Sequence, residues 1–119
     1  LMETKEDHPF VQVELMMPIL PLVRVPDVDQ AIEMAVRVEH GNRHTAMMHS
    51  RNVEKLTKMA KLIQTTIFVK NGPSYAGIGV GGEGYTTFTI AGPTGEGLTS
   101  AKSFARRRRC VLVGGMDVR

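Results

Sequence analysis

The sequence predicts an α/β fold built on a parallel strand–helix–strand–helix–strand unit over residues 17–70, and three observations predict it. Three strand-length runs, Ile19–Val25, His44–His49 and Thr66–Val69, are spaced along this stretch. The two intervals between them repeat apolar residues at helical rather than alternating spacing. Residues that cap helices stand at the start of each interval. Alternation of this kind favours a parallel sheet with right-handed crossover helices.

Each element has a local reason. Ile-Leu-Pro-Leu-Val-Arg-Val at 19–25 is rich in branched residues, and Pro18 and Pro21 mark it as an edge strand or a bulge. Pro26-Asp27 stops it. Asp27 can cap a helix, and Gln30 three residues later completes a capping-box pattern. The helix runs from Val28 to Glu39 with Val28, Ala31, Ile32, Ala35 and Val38 on one face, and Gly41 is placed to end it. His44–His49 reads as the next strand. Ser50 or Asn52 caps a second helix over Val53–Ile63, whose stripe is Val53, Leu56, Ala60 and Ile63, with Lys55, Lys58 and Lys61 on the other side. Thr66-Ile67-Phe68-Val69 is the clearest strand of the chain.

Composition shifts after residue 71. Gly72 to Ser100 holds nine glycines in 29 residues together with Pro73 and Pro93. Loops this long are usually functional or disordered. Tyr85–Ile90 is a candidate short strand inside it, and Cys110-Val111-Leu112-Val113 is a candidate final strand. The chain opens Leu1-Met2, which reads like the tail of a strand begun upstream, so a piece of a longer protein is expected. The first ten residues carry Glu3, Lys5, Glu6, Asp7 and His8, so no signal peptide is expected in them.

At 119 residues with 42% apolar and 23% charged residues, the composition is that of a globular domain. No apolar run approaches the ~20 residues a membrane helix needs, so no membrane partner is expected. One cysteine excludes an intramolecular disulfide and any multi-cysteine metal site. The net charge of +3 is local, because Arg106–Arg109 supply four of the fifteen bases. Such a run can bind phosphate or RNA. Its plainer reading is a solvated or ion-paired segment, and six aromatic residues without Trp offer little for stacking on single strands.

Gly77-Ile78-Gly79-Val80-Gly81-Gly82 matches G-x-G-x-x-G and follows a predicted strand, but Tyr-Thr-Thr-Phe-Thr-Ile follows where the dinucleotide fingerprint needs a helix N-terminus. Cys110 follows four arginines, which favour a thiolate, yet in a Val/Leu strand it reads as a small hydrophobe. His40 and His44 are separated by Gly41, and His44 and His49 would point to opposite faces of a strand, so no metal site is expected. Glu14 alone reads as an ordinary surface carboxylate.

Four stretches change that weighting. They are Glu14-Leu15-Met16-Met17-Pro18-Ile19-Leu20-Pro21, Val38–Ala46, Thr65–Asn71 with Pro73–Gly77, and Thr87–Gly97 running on to Arg108–Val113. Together they resemble the C-terminal end of CoA-acylating aldehyde dehydrogenases of the propanediol- and ethanolamine-utilisation type. The resemblance implies that residues 1–100 are the C-terminal part of that catalytic domain, its parallel βαβαβ unit followed by a Gly-rich loop region, and that 101–119 are a C-terminal arm with an oligomerisation strand. It implies an enzyme that converts a short aldehyde (propionaldehyde or acetaldehyde), NAD and coenzyme A to acyl-CoA and NADH. It also implies a homo-oligomer, cytoplasmic or held within a bacterial microcompartment, with no nucleic-acid partner. The nucleophilic cysteine would belong to a segment preceding Glu14, in the remainder of the polypeptide, and Cys110 would match the cysteine of the terminal strand. Glu14 matches the glutamate that hydrogen-bonds the nicotinamide ribose. Met16 replaces an aromatic residue that packs near the nicotinamide. Tyr75 and Ile78 match the region lining the substrate funnel. The chain itself, without its nucleophile, is expected to be inactive. The alternative is a free-standing α/β binding module that uses Arg106–Arg109.

Overall fold

A computed structural model describes residues 1–82, 99–111 and 113–114. The expected strand at Tyr85–Ile90 and Leu112 of the expected final strand lie outside the described residues.

The order of elements is β1 (Met2–Glu3), α1 (Pro9–Gln12), β2 (Pro21–Leu22), α2 (Val28–Val38), β3 (Thr45–Met48), α3 (Val53–Ile63) and β4 (Ile67–Lys70), followed by 3-10 helices at Ser74–Ile78 and Ala101–Phe104. From β2 to β4 this is the alternation read from the sequence, and the strand pairs are parallel. The pairing differs from a single three-stranded sheet. β3 pairs with β4 in the register Thr45↔Ile67 to Met48↔Lys70. β2 pairs instead with β1, Met2↔Pro21 and Glu3↔Leu22. The apolar run at 19–25 contributes only two paired residues, the first of them Pro21, which brings no N–H to the ladder. Met2 N–H donates to the Leu20 carbonyl and Thr4 N–H to the Leu22 carbonyl, both at 2.9 Å.

The helices start where their caps stand. The Gln30 N–H donates to Asp27 Oδ1 at 2.9 Å, and the Lys55 N–H donates to Asn52 Oδ1 at 3.1 Å. The Gln30 side chain does not reach back to the cap backbone as in a capping box. It donates from Nε2 to Asp27 Oδ2 at 3.0 Å instead. α2 ends at Val38 with Glu39 as its C-cap, so the residue just past the cap is His40, one position before the glycine expected there. His40 takes the first left-handed conformation (φ 52°) and Gly41 the second (φ 76°). α1 carried no signal read from the sequence. Its N-cap is His8, whose Nδ1 accepts from the Phe10 N–H at 3.1 Å, with Pro9 at the first helical position.

The core sits between the two long helices and one face of β3–β4. Ile32, Met59 and Ile63 are buried together, with Ala35, Val36, Ala46, Met48 and Phe68 packed against them. This corrects the stripe expected for α3. Leu56, Met59 and Ile63 are its buried residues, whereas Val53 is 67% exposed and Ala60 is exposed. Met59 follows Leu56 by three and precedes Ile63 by four, so these three keep one face, while Ala60 lies a further 100° round. Val28 is likewise exposed, at the first position of α2. Lys55 and Lys58, expected on the far side, instead reach α2.

Residues alternate faces along β4, so Ile67 and Val69 turn away from Phe68 and the helices, and both are buried. The 3-10 helix at 74–78 covers that second face. Gly77 permits this cover, since a Cβ there would overlap the Ile67 Cγ2. Asn71 closes the β3–β4 ladder. Its N–H donates to the Met48 carbonyl, its Oδ1 accepts from the Ser50 N–H at 2.7 Å, and its Nδ2 donates to the Ser50 carbonyl at 3.0 Å.

Cys110, Val111 and Val113 are exposed and make no strand pairing among the described residues, so the expected final strand is absent there. No helix among the described residues is long and apolar enough to cross a membrane.

Candidate functional site

Glu14 stands just past the C-terminus of α1, where Val13 has returned to extended backbone. Its carboxylate is exposed and takes no hydrogen bond or ion pair among the described residues. It lines a groove of about 470 Å³ whose other wall is Val38 and His40 from the end of α2 and His44 and Thr45 at the start of β3. Glu39 also borders the groove, but its carboxylate is engaged, accepting from the backbone N–H groups of Gly41 and Arg43. Glu14 is therefore the carboxylate with free acceptor capacity in this groove.

Tyr75 and Ile78 sit on the 3-10 helix over β4. They line a second groove of about 310 Å³ together with Ile67, Ser74, His44 and Thr45. The two grooves thus share His44 and Thr45. Thr45 is paired with Ile67 across the parallel sheet and so lies on the face that the 3-10 helix covers. His44 Nδ1 lies 2.6 Å from Thr45 Oγ1.

Three of the four residues singled out in the sequence therefore border two adjoining grooves. Met16 does not line either one and is 90% exposed. Sequence reading missed His44 and Thr45. The sequence reading sets His44 at the start of a strand and tests it as a metal ligand without giving it or Thr45 a place at a site, and the signal for that place is a strand mouth between the stretches bearing Glu14 and Tyr75. Among the described residues no three His, Cys, Asp or Glu side chains gather to hold a metal ion.

The G-x-G-x-x-G match takes no part in a helix start among the described residues. Gly77 packs on Ile67, and Gly79 and Gly81 turn the chain with φ of 96° and 71°. Arg106–Arg109 are exposed, as is the free Cys110.

A model of the aldehyde dehydrogenase family matches residues 1–98. The chain is 63% identical over 115 residues to the propanal dehydrogenase (CoA-propanoylating) of Citrobacter freundii, covering 97% of this chain and 25% of that protein. It is 62% identical over 116 residues to the acetaldehyde dehydrogenase (acetylating) EutE of Escherichia coli, covering 98% and 25%. The chain thus spans about a quarter of the length of these curated relatives. Among solved structures it resembles the Rhodopseudomonas palustris propionaldehyde dehydrogenase with bound propionyl-CoA, with a TM-score of 0.80 and 80% identity over 93% of this chain and 25% of that one. An engineered glycolyl-CoA reductase with bound NADP+ matches equally, at a TM-score of 0.80 and 80% identity over 93% and 25%. The propionaldehyde dehydrogenase of the Clostridium phytofermentans fucose utilisation bacterial microcompartment matches at 0.79 and 60% identity, over 92% and 25%. These relatives are enzymes, and they give the binding-module reading of Arg106–Arg109 no support.

Proposed function

The chain belongs to the aldehyde dehydrogenase family, and we propose that it forms the C-terminal part of a CoA-acylating member that converts a short aldehyde, a nicotinamide cofactor and CoA to acyl-CoA and the reduced cofactor. The observation that carries this is identity above 60% along nearly the whole chain to both a propanal and an acetaldehyde CoA-acylating enzyme. Propionaldehyde and acetaldehyde are accordingly the substrates of choice.

In this reading Glu14 accepts hydrogen bonds from the ribose hydroxyls of NAD. Its chemistry suits a diol: an ionised carboxylate offers two acceptor oxygens, and here neither is committed elsewhere among the described residues. Met16 supplies a flexible thioether that can pack against a flat ring. Tyr75 and Ile78 form an apolar wall with one phenol hydroxyl for the aldehyde's approach. When bound, the nicotinamide ring supplies the hydride acceptor. The nucleophilic cysteine belongs to the remainder of the polypeptide, so this chain binds and orients and does not attack. Residues 1–100 form the end of the catalytic domain and 101–119 an arm whose strand meets a second copy in a homo-oligomer. The enzyme works in the cytoplasm or inside a bacterial microcompartment, and the Clostridium phytofermentans relative supports the microcompartment.

The test is Glu14→Gln in the full-length enzyme. Hydrogen bonds to charged groups are worth about 1.5–3 kcal/mol, roughly twice neutral ones, so the KM for NAD should rise about tenfold with the KM for CoA unchanged. Unaltered NAD kinetics would reject the role of Glu14, and full aldehyde turnover without CoA would reject the acylating reaction.

A further inference from the structure

We propose that Arg37 and Gln12 are positioning residues for Glu14, through a two-point clasp in which the Glu6–Arg37 ion pair and the Gln12–His40 hydrogen bond hold the Glu14-bearing segment against the C-terminal end of α2. The inference rests on the role given to Glu14 above.

The segment needs such a hold. α1 is four residues long, too short to be stable by itself. The backbone hydrogen bonds of residues 5–13 are local: His8 N–H to the Lys5 carbonyl, Val11 N–H to His8 and Val13 N–H to Pro9. Glu14 adds no bond of its own among the described residues. Where its carboxylate sits in the groove therefore depends on what fixes the backbone just before it.

Two side chains do so from the end of α2. Arg37 grips Glu6 with a planar fork, Nε to Oε1 at 2.9 Å and Nη2 to Oε2 at 3.1 Å. Gln12, two residues before Glu14, donates from Nε2 to the Glu6 carbonyl at 2.5 Å. That donation fixes which way its amide points, so its Oε1 is the acceptor facing His40 Nε2 at 2.9 Å. His40 is consequently the tautomer with hydrogen on Nε2. His40 meets Gln12 from a left-handed backbone (φ 52°), a conformation that costs a non-glycine residue energy and that persists where the surroundings over-determine it. The clasp is also closed on itself, since Glu6 receives Arg37 on its side chain and Gln12 on its backbone.

The experiment is a double-mutant cycle on the full-length enzyme, reading KM for NAD, KM for CoA and kcat. Arg37→Met and Gln12→Met each keep an unbranched side chain and remove one point of the clasp. For exposed pairs of this kind each should raise the KM for NAD about two- to fivefold, with the KM for CoA unchanged. In a Glu14→Gln background the same substitutions should add nothing, because they act through that carboxylate. The swap of Glu6→Arg with Arg37→Glu should bring the KM for NAD back toward the parent value, and it keeps the test open if a single variant fails to fold. Additive effects in the Glu14→Gln background, or a folded swap whose KM stays raised, would overturn the clasp while leaving Glu14 its role. A Glu14→Gln enzyme with unchanged NAD kinetics would overturn both.

Discussion

Asp29 on α2 and Lys55 on α3 meet with Nζ 2.7 Å from Oδ2, and Lys58 adds a second ammonium 2.8 Å from Oδ1. One carboxylate thus ties two successive turns of the facing helix beside the buried Ile32–Met59–Ile63 cluster. Lys55 and Lys58 are three apart and so share a helix face. The hydrogen bonds from Lys55 and then Lys58 lower the Asp29 pKa from 3.8 to about 2, and the Asp29 hydrogen bond raises that of Lys58.

The signs give a pH dependence. A carboxylate depressed in the folded state adds stability that is present above its unfolded value and lost as pH falls through about 2. A raised lysine adds stability that is present below its unfolded value of 10.5 and lost as pH rises past its folded one. Asp29→Asn in the full-length enzyme should therefore lower the thermal midpoint at pH 7 and flatten its decline between pH 4 and about 2. Parallel midpoint-against-pH curves for parent and variant would contradict the pairing.

Met59→Ala should destabilise by about 2–5 kcal/mol, the range for emptying a buried large side chain. Val53→Ala and Ala60→Ser, at exposed positions of the same helix, should stay within about 0.5 kcal/mol. Denaturant midpoints of the three variants would show whether α3 faces α2 as described. Equal losses at 59 and 60 would place the helix in another rotation.

Gly77→Ala should cost about 1–3 kcal/mol, because the added methyl meets Ile67 Cγ2, a branch held directly on Cβ of a buried side chain. Gly41→Ala meets no atom within 4 Å, and only its left-handed backbone opposes it. Gly77→Ala should in addition raise the KM for aldehyde, since the 3-10 helix that moves carries Tyr75 and Ile78. Lost stability with unchanged aldehyde kinetics would separate that helix from the substrate path.

The 119-residue chain made alone should be inactive toward aldehydes and should self-associate. Leu1, Met16, Phe104 and Val113 are each at least 80% exposed, and large exposed apolar side chains of this kind favour association. Sedimentation that finds a monomer across a hundredfold concentration range would refute the second claim. NAD- and CoA-dependent turnover by the pure chain would refute the first.

The sequence by itself determined α2, α3, the β3–β4 strands and their order. Asp27 and Asn52 cap through their own side chains, and the periods of 3.6 and 2 are local properties of the chain. The stretches Glu14–Pro21, Val38–Ala46 and Thr65–Asn71 likewise carry the family likeness in their residues alone. The tertiary structure decided what depends on residues far apart in sequence. It paired the proline-bearing β2 with Met2–Glu3 rather than with β3. It rotated α3 so that Met59 rather than Ala60 meets Ile32, and it carried Lys55 and Lys58 across to Asp29. Glu14 and the pair Tyr75 and Ile78 come to border adjoining grooves because Thr45 aligns with Ile67 across the sheet. Met16, two residues from Glu14, stays outside both, since a loop's side-chain directions are set by what packs around it and not by spacing along the chain.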